Sequence, residues 1–206
     1  MASGIAQFVF YKSPVKDKGV MIVSRALLNI VLTVTLSGFC FLTPSIAQEV
    51  NIDELYTQLL DPELKDWDAI ERQIWGEWSK SGSAAMDLLL SRGRKAMQDG
   101  DMEKAIDHLT ALTDHAPNFA EGWNARATAF FNAEEFGLSI ADIQRALALN
   151  PRHFGAMQGL GRIMEELGQE ADALAAYKAA AAIHPQRDGL KEVIERLEKS
   201  VSGQNI

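Results

Sequence analysis

The sequence predicts an all-α protein in which antiparallel helix pairs stack side by side as an α-solenoid. Three X-Pro bends, Ala116-Pro117, Asn150-Pro151 and His184-Pro185, follow one another at intervals of 34 residues. The segments between them have the apolar spacing of helices. Gly100-Asp101 divides the segment before the first bend into two helices, and Gly168 does the same in the segment before the third, with glycine suited to a helix C-terminus and aspartate to an N-cap. Because the residue before a proline disfavours helix, each bend ends one pair.

Each unit has small residues where two helices must approach closely and large apolar residues where the space between helices must be filled. We number positions so that the closing proline is position 32. The small residues are Gly93, Ala127 and Gly161 at position 8, Ala105, Ser139 and Ala173 at position 20, and Ala146 and Ala180 at position 27. The large residues are Leu89, Trp123 and Met157 at position 4 and Leu109, Ile143 and Tyr177 at position 24. The alternation predicts one continuous core.

This period and packing pattern resemble the tetratricopeptide repeat family over roughly residues 86–187. The resemblance implies a domain at 84–187 with three repeats, at about 86–119, 120–153 and 154–187. Three residues depart from the family pattern. Arg92 and Arg126 occupy position 7, where the family usually has an apolar residue such as Leu160, and Leu112 is large for position 27. Repeat one therefore matches least well and repeat three best.

Stacked repeats leave an apolar face at each end, so the array needs terminal caps. Residues 188–206 are predicted to form a C-terminal capping helix and tail. Leu190, Val193, Ile194 and Leu197 follow the i, i+3, i+4, i+7 spacing of one apolar helix face.

Residues 48–83 are predicted to be a helical extension on the N-terminal side. A short helix in "NIDELYTQLL" is followed by a break at Asp61-Pro62 and a longer helix in "ELKDWDAIERQIWGEWSKSG". Trp67, Ile70, Ile74 and Trp78 share one face of the longer helix. We expect this face to cap the first repeat. The alternative is a tryptophan patch that binds a partner.

Residues 1–47 have the layout of a secretory signal peptide. Basic residues up to Arg25 precede the 17-residue apolar run 26–42, and Ser45-Ile46-Ala47 provides a small-x-small cleavage site. Met21 is an alternative start, and residues 1–20 would then not be translated. An uncleaved inner-membrane anchor is the alternative. A lipoprotein site at Cys40 is disfavoured, because Phe39 stands where that motif requires a small residue.

The charge of the chain excludes some partners. The net charge is −8, and removal of four basic residues and one acidic residue with residues 1–47 brings it to about −11. An acidic surface repels phosphate groups, so we expect neither nucleic acid nor, after cleavage, a membrane as partner. Cleavage also removes Cys40, the one cysteine, so stability cannot depend on disulfides.

The titratable residues do not predict an enzyme, a metal or a cofactor. No two of His108, His115, His153 and His184 have the i, i+4 spacing of metal ligands, and no phosphate loop or nucleophile motif occurs. Arg152-His153 has no counterpart at the other bends, and we expect it to cap nearby carbonyl groups or to touch a partner at the groove edge. Asn118 and Glu121 have the spacing of a capping box.

The resemblance implies a concave groove lined by the first helix of each repeat. Family positions 5, 9 and 12 place six residues there as candidates for partner binding. They are Arg94, Asn124, Thr128, Phe131, Gln158 and Arg162. Amides can bind a peptide backbone, arginine a carboxylate and phenylalanine an apolar side chain. The lysine of the family's carboxylate clamp is replaced by Leu90, Asn124 and Gln158 at position 5, so we do not expect a partner's C-terminal carboxylate to be recognised by that clamp.

The repeats and the signal peptide together predict a non-catalytic adaptor or scaffold of the bacterial cell envelope, located in the periplasm. Its partner would be a segment of another protein. The alternative is a periplasmic chaperone-like assembly factor that holds unfolded client proteins.

Overall fold

The computed structural model describes residues 50–203, so the predicted signal peptide and its cleavage site lie outside the described residues. Residues 50–203 form nine α-helices and no strand. They are α1 Ile52–Leu59, α2 Trp67–Trp78, α3 Ala84–Gln98, α4 Met102–His115, α5 Ala120–Asn132, α6 Phe136–Leu149, α7 Phe154–Glu166, α8 Glu170–Ala181 and α9 Leu190–Gly203. In this part of the chain, no helix combines the length and the hydropathy that a bilayer crossing requires.

Helices α3 to α8 form three antiparallel pairs, α3 with α4, α5 with α6 and α7 with α8, and each pair packs on the next. The all-α solenoid predicted from the repeats is confirmed. Gly100 and Gly168 end α3 and α7 with φ values of 81° and 69°, which glycine adopts without a Cβ penalty. In the middle repeat Glu134 takes the same backbone conformation, with φ 61°.

The small residues at position 8 let the two helices of a pair touch. A Cβ on Gly93 would lie 2.5 Å from Leu109 Cγ, and a Cβ on Gly161 would lie 2.8 Å from the ring of Tyr177. Both large partners are at position 24, so the small and large positions of the repeat meet directly. Helix α9 packs on α8 and buries Leu190 and Leu197.

The two N-terminal helices pair as a hairpin, which we call the N-terminal hairpin (residues 52–78). Our expectation that it caps the first repeat is wrong. Its buried residues share one apolar cluster with the third repeat and α9. That cluster contains Leu55, Tyr56, Leu59, Ile74, Trp78, Phe154, Ala173, Tyr177, Ala180, Leu190 and Leu197.

The surface of the first repeat that faces away from repeat two carries charged residues. Arg92, Lys95 and Lys104 are exposed at its surface. The arginine at position 7 of repeat one is therefore consistent with an end repeat that has no helix packed on that side within residues 50–203. The hairpin instead covers the bends after repeats two and three, where aromatic and histidine side chains offer apolar surface.

Candidate binding groove

A pocket of about 220 Å³ opens where α5, α6 and α7 meet the N-terminal hairpin. Its walls are mostly apolar or uncharged. The lining residues are Trp75, Asn124, Ala127, Thr128, Phe131, Ser139, Ile143, Gly155, Gln158, Gly159, Arg162, Ile163 and Arg187. Five of the six groove residues predicted from the sequence are among them, so the fold brings those five together.

The polar side chains of the pocket retain hydrogen-bonding capacity. Asn124 Nδ2 donates to Glu121 Oε2 at 3.1 Å, which leaves the amide oxygen free to accept. Thr128 Oγ1 donates to the Asn124 carbonyl at 3.0 Å and can still accept a hydrogen bond. The side chain of Gln158 makes no hydrogen bond within residues 50–203. These three groups can satisfy the donors and acceptors of an extended backbone.

Arg162 lies over the ring of Phe131, with 5.2 Å between its Cζ and the ring centroid. This is the distance range of a cation–π contact. Among the described residues no carboxylate lies within ion-pair distance of Arg162. Burial by itself would raise the pKa of Glu165, but hydrogen bonds from Arg196 and Tyr177 hold it below its usual value. The positive charge of Arg162 makes a smaller contribution in the same direction.

Arg94, the sixth predicted residue, lies in a neighbouring, more open pocket with Ser79, Met97 and Glu121. Its Nη2 is 2.5 Å from Glu121 Oε1, and its Nη1 donates to Ser79 Oγ at 3.0 Å. The Arg94 guanidinium is thus already paired inside the protein. It joins the first repeat to Glu121 of the second and to Ser79, the residue that follows the hairpin, and it has less capacity for a partner than Arg162.

A buried carboxylate, that of Glu121, connects these residues to the bend at His153, a role that the sequence did not predict. Glu121 is 2 % exposed, and its two oxygens accept hydrogen bonds from Arg94, Asn124 and His153. The predicted capping box is wrong, because α5 begins after Phe119 with no side-chain cap. The Glu121 carboxylate instead binds the side chain of His153, 32 residues away.

His153 is fully buried at the bend that the proline period identifies. Its Nδ1 accepts the backbone N–H of Ala156 at 3.1 Å, so Nε2 carries the hydrogen and donates to Glu121 Oε2 at 2.8 Å. The expectation that this residue caps a carbonyl group is therefore wrong, because His153 caps a backbone amide at the start of α7. Arg152 pairs with Asp53 of the hairpin.

Glu71 of the hairpin makes a second set of contacts that hold the hairpin on the repeats. It accepts hydrogen bonds from Trp75 Nε1 at 2.9 Å and His184 Nε2 at 3.2 Å, and it pairs with Arg187. Burial by itself would raise the pKa of Glu71. The two hydrogen bonds and the positive charge of Arg187 outweigh it and hold the pKa below its ordinary value.

The charged residues that line the pocket are both cationic, Arg162 and Arg187, although the chain as a whole has a net charge of −8. Within residues 50–203 no three His, Cys, Asp or Glu side chains are grouped as a metal site requires. The geometry therefore suits an anionic or neutral segment with at least one apolar side chain.

Comparison with known proteins agrees with the repeat pattern. A tetratricopeptide repeat model matches residues 124–188. A TPR repeat-containing protein of Rhizobium etli is 32% identical over 155 residues, which is 74% of this chain and 75% of that protein. The chain belongs to the tetratricopeptide repeat family.

Solved structures show the same tetratricopeptide fold. The first such domain of Spaghetti, bound to an HSP90 peptide, has a TM-score of 0.56 and 22% identity over 58% of this chain and 95% of that domain. The structure of MamA has a TM-score of 0.54 and 25% identity over 66% of this chain and 80% of its own.

The arginine at position 7 of repeat two, which departs from the tetratricopeptide pattern, has a structural reason. Arg126, at position 7 of repeat two, forms a two-point ion pair with Asp142 on α6, with distances of 2.7 Å and 2.9 Å. Its guanidinium also lies 4.9 Å from the ring centroid of Trp123. An internal ion pair thus replaces the apolar packing that Leu160 makes at position 7 of repeat three.

Proposed function

We propose that this tetratricopeptide protein is a non-catalytic adaptor of the cell envelope that binds an extended segment of another protein in its groove. One observation carries the proposal. Five groove side chains line a single pocket in which Gln158 and Arg162 have no hydrogen-bond or ion-pair partner among the described residues. Recognition sites usually combine apolar walls with a few polar groups that can still form hydrogen bonds.

The chemistry of the pocket assigns a role to each group. Asn124 and Thr128 would accept hydrogen bonds from backbone N–H groups, and Gln158 would bind a backbone carbonyl. Arg162 would hold a carboxylate through two parallel hydrogen bonds. Phe131 would contact an apolar side chain. The Spaghetti domain, whose structure contains an HSP90 peptide, supports only the general point that this fold can hold a peptide.

The cell-envelope location rests on the signal-peptide layout of residues 1–47. Mass spectrometry of the N-terminus of the protein from cells would test it. A new N-terminus at Gln48 is expected. Recovery of residues 26–42 in the membrane-bound protein would support the anchored alternative instead.

The binding role is tested by capture of partners from envelope extract. Wild type is compared with the double variant Arg162→Glu, Phe131→Ala, and with Lys191→Glu as a control for the charge change on exposed α9. Specific partners of the wild type and of the control should be lost from the double variant. Identical partner lists for all three proteins would refute the groove assignment.

The chaperone-like alternative predicts a different result in a second assay. Purified protein would suppress the aggregation of unrelated unfolded proteins, and the double variant would do so equally well. A single stoichiometric partner that depends on Arg162 and Phe131 would favour the adaptor.

A further inference from the structure

The pocket contains one residue that the repeats do not supply. Trp75 belongs to the N-terminal hairpin, yet its indole is part of the pocket wall together with Phe131 and Gln158. It lies directly against the backbone of α7. A Cβ on Gly155 would be 2.7 Å from Trp75 Cη2, so this approach is possible only because residue 155 is glycine.

The indole of Trp75 is held in place before any partner binds. Its Nε1 donates to Glu71 Oε1 at 2.9 Å. Its ring packs edge-on against the ring of Trp78, with 4.9 Å between ring centroids and 81° between planes. The ring of His153 is also edge-on to it, with 5.5 Å between centroids and 77° between planes. A side chain fixed from several directions loses little conformational entropy on binding, which favours its use as an anchor wall.

We propose that Trp75 and Phe131 are two aromatic walls of an anchor pocket that takes one large apolar side chain of the partner segment, with an adjacent carboxylate on Arg162. This inference rests on the proposed function, because it describes the partner of the same groove. Ala127, Ile143 and Ile163 also line the pocket and provide apolar surface. The pocket, at about 220 Å³, is smaller than the ~300–1,000 Å³ of small-molecule sites.

The choice of an acidic, apolar segment follows from charge as well as size. Arg162 and Arg187 are the charged lining residues, and Arg187 is already paired with Glu71. Arg162 is the cation that remains for a ligand. An apolar residue without a neighbouring carboxylate would leave the Arg162 guanidinium with no anionic partner. A carboxylate without the apolar residue would leave the aromatic walls exposed to water.

The test uses small probes, because the natural partner is not needed for it. The probes are N-acetyl-L-phenylalanine, which has both groups, N-acetylglycine, which has only the carboxylate, and N-acetyl-L-phenylalaninamide, which has only the ring. Binding is followed by NMR of the 15N-labelled protein, with the indole N–H of Trp75 assigned from the Trp75→Phe variant.

N-acetyl-L-phenylalanine should shift the Trp75 indole and the Gln158 side-chain amide together and saturably. N-acetylglycine should bind about tenfold or more weakly, because it buries no ring. The amide probe should also bind more weakly, since it lacks the carboxylate for Arg162.

Two glycine variants provide the matched comparison. Gly155→Ala pushes Trp75 out of position and should remove the preference for the phenylalanine probe. Gly137→Ala places a methyl group in open space on α6 and should leave the preference unchanged. Thermal unfolding of both variants verifies that they are folded, and Trp75→Leu is a second way to remove the indole.

The outcomes separate this inference from the proposed function. If the phenylalanine probe shifts Gln158 but not Trp75, or if Trp75→Leu binds it with unchanged affinity, the role of Trp75 is refuted and the groove remains the binding site. Absence of any shift with all three probes would also refute the anchor pocket, whereas partner capture with the Arg162 and Phe131 variant tests the groove independently.

Discussion

The rings of Trp78 and His153 stack face to face, with 4.1 Å between centroids and 24° between planes. One residue ends the second helix of the N-terminal hairpin, and the other closes the bend between repeats two and three. The contact therefore fixes the hairpin on the repeat array. It also covers the imidazole that caps α7 and binds Glu121.

Replacement of Trp78 by alanine should destabilise the whole folded unit. The side chain is 8 % exposed, and its Nε1 donates to Tyr56 Oη at 3.1 Å. Loss of a buried tryptophan costs about 3–5 kcal/mol in the free energy of unfolding. Urea unfolding measures this loss. Leu60→Ala, at an exposed hairpin residue, is the control and should change stability by only about 0.5 kcal/mol. A loss below about 1 kcal/mol for Trp78→Ala would show that the hairpin is not firmly docked.

Two glycines of α7 should respond in opposite ways to alanine. A Cβ on Gly161 would meet the Tyr177 ring at 2.8 Å, so Gly161→Ala should overpack the helix pair and cost about 1–3 kcal/mol. A Cβ on Gly159 would have one ordinary contact, with Ile143 Cδ1 at 3.6 Å. Gly159→Ala should therefore be neutral or stabilising by up to about 1 kcal/mol, the helix propensity difference. Thermal melts of the two variants, side by side, check the prediction, and equal melting temperatures would contradict it.

The ion pair between Arg126 and Asp142 should be strongly coupled. Asp142→Ala leaves a mostly buried guanidinium without its partner and should cost about 3 kcal/mol. The double variant Arg126→Leu, Asp142→Ala reproduces the residues of repeat three, Leu160 and Ala176, and should recover most of that loss. A double-mutant cycle of unfolding free energies measures the coupling. Additive losses would show that the pair contributes little.

The repeats were predictable from sequence because their packing rules recur every 34 residues. Gly93 and Gly161 meet Leu109 and Tyr177 at the same two positions of the repeat, so one pattern is observed more than once. The groove residues followed from the same numbering. Asn124, Thr128, Phe131, Gln158 and Arg162 share a pocket because the first helices of successive repeats lie side by side.

The position of the hairpin was not predictable, because it depends on contacts that occur once and far apart in sequence. Glu71 meets His184 across 113 residues, and Arg152 meets Asp53 across 99. No periodic signal marks such pairs. The one available clue was the charge of Arg92, which is compatible with a face on which no other helix of residues 50–203 packs.

The docking of the hairpin should weaken in acid through Glu71. The folded-state pKa of this carboxyl lies below its ordinary value of 4.5, because the hydrogen bonds from His184 and Trp75 and the charge of Arg187 outweigh the effect of burial. The unfolded chain then binds more protons than the folded chain in the pH range between the two pKa values. This part of the stability is present above about pH 4.5 and is lost as pH falls through the folded-state pKa.

Glu71→Gln should therefore be less stable than wild type at pH 7, and the difference should shrink as the pH falls below about 4.5. Some acid sensitivity remains in the variant, because Glu165 also has a lowered pKa, which hydrogen bonds from Arg196 and Tyr177 maintain against burial. Urea unfolding at roughly one-unit steps between about pH 3 and pH 7 measures the difference. A one-unit shift in the pKa of Glu71 on folding would change the free energy of unfolding by about 1.4 kcal/mol. Glu54→Gln removes an exposed carboxylate from the same hairpin and should follow the wild type. A constant difference between Glu71→Gln and wild type at every pH would mean that the Glu71 carboxylate acts by packing alone, and not through its charge.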